Sequence, residues 1–294
     1  MIAKRCVLLL PLLLFVAGCG GGAATTTGRP AAAAELPPVD LAYAPGGEAL
    51  RFAVAMTDET EVMGNNFQTS IRYEWTADDW REEEDGSWTA RVTFAKVKAT
   101  RRSEIDVTMK PVEEFDRLEG FDWRFRLDDE GFEPDGELGK DRQFKAAFQT
   151  LSSGLGPLNL RGPGHPVAPG EAWTDTLGLE ENPFGSAMKN DVVVVSYARD
   201  EKKDGRDCAR LDMEFETDLD GILGEGSEQA QHAAGDVKLS GKAWFARDLG
   251  HIVKVEERLK TSLDMTPVDA NGKPRGQKQV FTTIHNVTAT FLGN

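Results

Sequence analysis

Apolar and polar residues alternate along much of the chain from Leu50 onward, and this period of two constrains the fold more than any other feature. Successive side chains of a β-strand point to opposite faces, so each alternating segment predicts a strand with one apolar and one polar side. Such strands are typical of antiparallel sheets with one covered face, because strands buried on both faces are apolar throughout. The alternating segments are 50–56, 71–75, 88–94, 105–109, 121–127, 209–215 and 253–265, and further strands are predicted at 173–179, 192–199 and 279–292.

We therefore predict a mainly β protein with about eleven antiparallel strands, a number at which a sheet must curl, split or close. Asp-Gly or Asn-Gly pairs in 82–87, 201–206 and 269–273 are typical of the turns between such strands. A faint duplication at an offset of 119 aligns 85–94 with 204–213. The arrangement is then a curved sheet, a half-barrel or two abutting β-meanders.

One segment departs from the period of two. Phe144, Ala147, Phe148 and Leu151 follow the spacing i, i+3, i+4, i+7, which predicts an amphipathic helix near 139–153. The Gly- and Pro-rich segment after it marks the best internal boundary. We expect a first meander with the helix over 48–156 and a second meander over 157–294, with a single continuous domain as the alternative.

The N-terminal segment has the order of a secretory signal. Lys4 and Arg5 precede an eleven-residue apolar run over 6–16, and small residues follow it. At about 1.5 Å per residue, the run covers roughly half of a ~30 Å hydrocarbon core, which argues against a permanent transmembrane helix. The run ends in Val16-Ala17-Gly18-Cys19.

This ending resembles the lipobox of bacterial lipoproteins. The resemblance implies removal of residues 1–18 and a diacylglyceryl thioether on Cys19, usually with a further acyl chain such as palmitate on its new amine. Gly20 stands where the family's inner-membrane retention signal places Asp, which implies an outer-membrane location facing the periplasm or the cell surface. A plain signal peptide is the alternative. The Gly-, Ala-, Thr- and Pro-rich stretch 20–47 predicts a flexible tether, so that 19–47 links the lipidated cysteine to the folded part.

Composition and motifs exclude several function classes. The net charge of −15 and the pI near 4.8 argue against nucleic acid as a partner. The sequence contains no zinc-ligand spacing, phosphate-binding loop or serine nucleophile elbow, so we predict no catalytic residue, cofactor or metal. Acidic clusters at 128–130, 218–221 and 269–272 are weak calcium candidates, which turn formation explains as well.

A few side chains are candidates for contact with a ligand or a partner. Trp80 follows the end of an apolar row, so it either lies exposed and contacts a ligand or partner, or it caps the core. Trp75, Trp88 and Trp123 share the phase of the apolar rows and are expected in the core. The lone Cys208 is expected to be a small semi-buried filler rather than a reactive thiol.

Other polar residues are assigned to the surface. The basic residues within 96–102 are expected at a solvated hairpin end, with an anionic partner as the alternative. A surface or turn location is expected for the four histidines His165, His232, His251 and His285.

These features favour a non-catalytic, lipid-anchored envelope lipoprotein that binds an apolar ligand or a partner protein. The folded part resembles uncharacterised envelope lipoproteins and is loosely similar to half-barrel lipoproteins that carry lipid. Two alternatives stay open, a structural scaffold without a ligand pocket and a hydrolase-type enzyme.

Overall fold

The computed structural model describes residues 37–41, 47–128, 131–136, 138–156, 160, 162–176, 192–223, 230–269 and 271–293. The predicted signal peptide, Cys19 and most of the predicted tether lie outside these ranges. Among the helices in these ranges, none combines the length and the apolar character needed to cross a bilayer.

Within the described ranges, antiparallel strands dominate, which confirms the predicted mainly β class. The strands are β1 (Leu50–Val62), β2 (Asn65–Glu82), β3 (Trp88–Ser103), β4 (Lys110–Pro111), β5 (Asp122–Asp128), β6 (Gly131–Pro134), β7 (Ala172–Thr176), β8 (Val192–Lys203), β9 (Arg206–Leu223), β10 (Gln231–Ala246), β11 (His251–Pro267) and β12 (Gln279–Gly293). They form one open sheet in the order β6-β5-β3-β2-β1-β12-β11-β10-β9-β8-β7, with the short β4 beside β3.

The first and last strands pair at the middle of this sheet. β1 lies antiparallel to β12, with Met56 opposite Val287 and Val54 opposite Ala289. Both strands place apolar residues on the same face, so their pairing continues the apolar surface from one meander into the other. The two meanders therefore abut within one sheet.

A single α-helix among the described residues packs on one face of the sheet, which confirms the predicted helix. It is α1 (Arg142–Ser152), and a 3-10 turn, Ser153–Leu155, continues it. The Asp141 carboxylate accepts hydrogen bonds from the backbone amides of Gln143 and Phe144 and so caps its first turn. We call the sheet face under α1 the inner face and the opposite one the outer face.

Hydrogen bonds and aromatic rings hold the helical segment to the inner face. The Tyr73 hydroxyl donates to the Leu151 carbonyl, and Trp75 Nε1 donates to the Gly154 carbonyl at 3.2 Å. Phe148 contacts Phe94 edge to face with 5.9 Å between the ring centroids. The first half of the sheet thus has a packed aromatic core, and Trp75 is fully buried in it, as expected.

Two segments differ from the prediction. The expected strand at 105–109 is a loop between β3 and β4, where the side chains of Ser103 and Asp106 accept backbone amide hydrogen bonds in place of a neighbouring strand. Ile105 is 90% exposed there. Conversely, β10 forms where no strand was predicted. It was missed because Gly235 and Gly241 interrupt the alternation of its apolar residues. A Cβ on Gly235 would lie 2.0 Å from the Ser262 carbonyl oxygen, so only glycine fits this close approach of β11.

Candidate functional site

One acidic residue lies in an apolar row that crosses the inner face. Directly paired residues of antiparallel strands share a face, so the pairing registers define this row. It consists of Val195, Met213, Gly241, Glu257, Val287, Met56, Ile71 and Ala99, one from each of eight adjacent strands. Glu257 is therefore the single polar side chain in a row that spans most of the sheet.

The alternation of β11 explains why Glu257 faces inward. Val255 and Leu259, two residues before and after it, are both buried on the inner face. Glu256 faces the other way and forms an ion pair with Lys254, with 2.6 Å between the charged atoms. Two adjacent glutamates thus occupy opposite faces, and only one of them has a charged partner.

The surroundings of Glu257 disfavour its ionised form. A Cβ built on Gly156, just after the 3-10 turn, would lie 3.6 Å from Glu257 Oε1, so the carboxyl group lies close under the end of the helical segment. No described residue forms a hydrogen bond or an ion pair with this carboxyl group, and the neighbouring His285 acts on it only electrostatically, in the direction that lowers its pKa. Burial outweighs the effect of His285 and raises the pKa of Glu257 to about 7.

A second inner-face row, beside Glu257, consists of polar residues except for Leu259 at its β11 end. It runs from Leu259 on β11 through His285, Asp58 and Thr69 to Arg101 on β3. His285 Nδ1 hydrogen-bonds to the Asp58 carboxylate, which can only accept, so Nδ1 is the donor. The exposed fraction of the side chain rises from 12% at His285 to 26% at Asp58, so the row becomes accessible toward β1.

Two polar atoms of this region have no hydrogen-bond partner within the part of the chain that the structure describes. They are His285 Nε2 and Thr283 Oγ1, and both are shielded from solvent. Thr283 precedes His285 by two residues on β12, faces the same side and is only 6% exposed. A carboxyl group, an imidazole nitrogen and a hydroxyl group are therefore set into an apolar surface, a composition typical of small-molecule sites.

Trp80, the predicted candidate for contact with a ligand or partner, packs against the core. Trp80 is only 9% exposed and packs against Phe132 with 5.6 Å between the ring centroids, which corresponds to the core-capping alternative. Trp88 and Trp123 pack against the same core. Cys208 is buried in a small separate apolar cluster that includes Trp244, and burial raises the pKa of its thiol.

The histidine predictions are half right. His165 and His232 have exposed side chains beside Glu171 and Asp220, respectively. The surface assignment is wrong for His251, which is buried, and for His285, which faces the inner side of β12. His251 packs against the ring of Phe291 with 4.7 Å between the ring centroids, and His285 lies between Asp58 and Leu259 of the paired strands.

The weak calcium candidates have structural explanations where they are described. Residues 218–221 are not a turn but part of β9, paired with β10. The Asp269 carboxylate accepts the backbone amides of Asn271 and Lys273 and so stabilises its own turn. The described ranges contain no group of three or more His, Cys, Asp and Glu side chains placed to hold a metal ion.

The basic segment 96–102 is not a separate patch. It lies along β3, where Lys96 forms an ion pair with Glu74 at 2.7 Å and Arg101 Nε donates to Thr69 Oγ1 at 3.1 Å. The two side chains point to opposite faces of the sheet, because Arg101 belongs to the inner polar row while Glu74 pairs with Arg51 on the outer face.

The prediction from sequence missed Asp58, Thr283 and Glu257 as site residues. Each occupies an apolar phase of its strand, and Glu257 visibly interrupts the alternation of its segment. A polar residue at an inward position was thus the available signal. Its meaning depended on the strand register, which brings the three residues to neighbouring positions.

The fold and the site together define a class, a single-sheet antiparallel β protein with polar groups set into its apolar inner face. No model of a known protein family matches the chain, and the comparison with curated proteins found no match.

Comparison with solved structures gives two distant similarities. A structure titled "Lipid-protein interactions in lipovitellin" has a TM-score of 0.48 and 9% identity, and the match covers 84% of this chain and 25% of that chain. A DUF1329 family protein from Desulfovibrio piger has a TM-score of 0.15 and 8% identity, with 83% of this chain and 87% of that chain covered. The chain thus spans about a quarter of the length of the lipovitellin chain. At these scores, the similarities establish neither a family nor a function.

Proposed function

We propose that this protein is a non-catalytic lipoprotein of the cell envelope that is anchored through an acylated Cys19 and binds an apolar ligand against its inner face. The order of basic, apolar and small residues before Cys19 supports the anchor, and Gly20 after it supports an outer-membrane location. With two or three acyl chains, each buried methylene contributing ~0.8 kcal/mol, such attachment is effectively permanent.

Ligand binding rests on one observation, the unpartnered polar groups in the apolar inner face. His285 Nε2 and Thr283 Oγ1 are buried and have no hydrogen-bond partner among the described residues, and the partly buried Glu257 lies beside them. Leaving a buried polar group unsatisfied costs about 1–3 kcal/mol. A ligand that supplies the missing partners removes this cost, whereas a scaffold with a filled core gains nothing from these side chains.

Binding is favoured over catalysis by the geometry of the same groups. A hydroxyl nucleophile is activated by a hydrogen bond to a neighbouring base. The Thr283 hydroxyl makes no such bond to the His285 imidazole, although Asp58 orients that imidazole. Within the described ranges, the site therefore has a base and an orienting group without an engaged nucleophile.

Native mass spectrometry of the full-length protein, purified from its own host in a mild detergent, tests ligand binding. We expect a reproducible lipid adduct that is lost on collisional activation. Protein that carries no adduct, or that instead carries a stoichiometric protein partner, contradicts the proposal.

Cell fractionation tests the anchor. A Cys19→Ser variant is expected to leave the membrane fraction, while the matched Cys208→Ala variant stays there, because Cys208 is buried within the fold. The intact mass of the native protein is expected to include the acyl chains on Cys19. An uncleaved leader, or a Cys19→Ser variant that fractionates like the native form, contradicts the anchor.

A further inference from the structure

We propose that one end of the sheet carries an apolar tip that inserts into the surface of an anionic lipid bilayer. Among the described residues, seven large apolar side chains are exposed, and six of them lie at this end of the sheet. These six, which we call the apolar tip, are Met63, Phe67, Ile105, Val107, Met109 and Val280.

Four adjacent strands bring the residues of the apolar tip together. Met63 lies in the turn from β1 to β2, and its amide donates to the carbonyl of Val280, near the start of β12, at 3.5 Å. Phe67 lies opposite Ser103 at the end of β3, and the loop 105–109 follows directly. Because β3, β2, β1 and β12 are neighbours, the tip is about 14 Å wide at ~4.8 Å per strand. The six side chains therefore form one patch and are not scattered over the surface.

The loop 105–109 presents its apolar side chains to solvent on a backbone that is held in place. The Asp106 carboxylate accepts a hydrogen bond from the Thr108 amide at 3.2 Å and forms an ion pair with Lys110. The apolar residues that alternate with these polar ones remain exposed, Ile105 to 90% and Val107 to 71%. The polar residues of the loop thus stabilise it, and its aliphatic residues are left free for an outside contact.

The exposure of these residues favours a bilayer over a protein as the occupant. A side chain that is 90% exposed, such as Ile105, projects from the surface and does not line a groove. A protein partner would need a matching pocket for each projecting side chain, since its interface is packed like a protein interior. The hydrocarbon of a bilayer accepts projecting aliphatic side chains without such a pocket.

The charges around the tip complement an anionic bilayer. The segments 59–72 and 96–110, which contain most of the tip, have six basic and four acidic residues, so their net charge is +2, whereas the whole chain carries −15. Lys98 and Arg102 are exposed on the outer face of β3, beside the tip. An anionic bilayer therefore attracts this end of the sheet and repels the rest, which turns the tip toward the membrane.

The proposed tether is long enough for the tip to reach the bilayer that holds the anchor. Arg247 donates to the Pro37 carbonyl at 2.8 Å, at the end of the sheet where β1 starts. The tip lies at the other end of β1, 13 residues or about 43 Å away at ~3.3 Å per residue. The 18 residue steps from Cys19 to Pro37 span at most about 60 Å.

The tip also lies close to the inner-face site. Thr283 is opposite Thr60, which precedes Met63 by three residues, or about 10 Å along the strand. A membrane contact at the tip thus places the proposed ligand site beside a source of apolar ligands.

Quenching of tryptophan fluorescence by brominated lipids tests the insertion. The full-length protein is mixed with excess vesicles of equal parts phosphatidylglycerol and phosphatidylcholine, with bromine on the acyl chains of the phosphatidylcholine. Val107→Trp places an indole in the tip, and Glu84→Trp places one in the exposed turn at the opposite end of β2 and β3. We expect the added indole of Val107→Trp to lose about half of its fluorescence and that of Glu84→Trp to lose none, because quenching requires contact with the acyl chains.

Further substitutions in the Val107→Trp protein identify the interactions responsible. Ile105→Asp is expected to lower the ratio of quenched to unquenched protein about tenfold, because a charge replaces an inserted apolar side chain. Leu292→Asp, at the opposite end of the sheet, is the matched control and should leave the ratio unchanged. Arg102→Gln should lower the ratio about fivefold with phosphatidylglycerol present and should not change it in phosphatidylcholine alone. All three residues are exposed, so none of these substitutions is expected to alter the fold.

Two results would overturn the proposal. Val107→Trp that keeps its fluorescence would leave a protein as the occupant of the tip, and equal quenching of Val107→Trp and Glu84→Trp would show that the sheet has no preferred end. Neither result bears on ligand binding, which is measured in detergent. The anchor is also tested separately, because a tip contact is released on dilution and the Cys19→Ser variant still leaves the membrane fraction.

Discussion

Replacing Glu257 with Gln should change how the stability of the protein depends on pH. Burial raises the pKa of Glu257 from its ordinary value of 4.5 to about 7. A group with a raised pKa binds its proton more tightly in the folded state, so stability falls as pH rises between these values. At 1.36 kcal/mol per pH unit, the native protein loses about 3 kcal/mol between pH 4.5 and pH 7 through this group. Glu257→Gln removes that loss, because the amide does not ionise.

Urea denaturation at several pH values between 5 and 8 measures this effect. The free energy of unfolding of Glu257→Gln minus that of the native protein is expected to increase toward pH 8 and to approach about 3 kcal/mol. Taking the difference cancels the carboxylates shared by both proteins. In the control Glu256→Gln the difference should stay constant, because Lys254 lowers the pKa of Glu256 and its titration falls below this range. Parallel curves for the native protein and Glu257→Gln would refute the raised pKa of Glu257.

Three further predictions address the fold. Gly154→Ala should lower the free energy of unfolding, measured by urea denaturation, by about 1–3 kcal/mol, because the added Cβ would lie 2.0 Å from the Tyr73 hydroxyl oxygen. Gly156→Ala should lower it far less, because its Cβ would lie 3.6 Å from the nearest atom. Equal losses in the two variants would contradict this packing. Asp141→Ala should lower the free energy of unfolding by about 1 kcal/mol, because the helix loses its N-terminal cap, whereas Asp141→Asn should keep most of the capping energy. Thermal unfolding followed by circular dichroism shows whether the two variants differ. Cys208 should react with a thiol reagent roughly a hundredfold more slowly in the native protein than in urea, and rapid native labelling would show that it is accessible.

The strands that could be predicted were those whose own residues carry the pattern. In 50–56 large apolar residues alternate with small or charged ones, in 253–265 apolar residues alternate mainly with charged ones, and both segments are strands. The segment 105–109 has the same alternation, but the side chains of Ser103 and Asp106 accept the backbone hydrogen bonds of a loop. Local alternation thus permits a strand, and a strand forms only where a neighbouring strand accepts the hydrogen bonds of its backbone.

The site could be predicted only in part for a related reason. The interruption of the apolar phase at Glu257 is visible in the sequence of its segment. Nothing within that segment indicates that His285 is its diagonal neighbour or that Gly156 lies above it. These relations arise from strand register and helix packing, which join segments far apart in the chain.

The amino-acid sequence by itself determined the antiparallel β class and the amphipathic helix, because the periods of 2 and 3.6 residues are expressed by neighbouring side chains. The tertiary structure decided which polar side chains meet. Asp58 and His285 are 227 positions apart, and they form a hydrogen bond because β1 and β12 pair at the middle of the sheet. Such a pairing depends on the contacts of the whole apolar surface, so no single segment contains the information that specifies it.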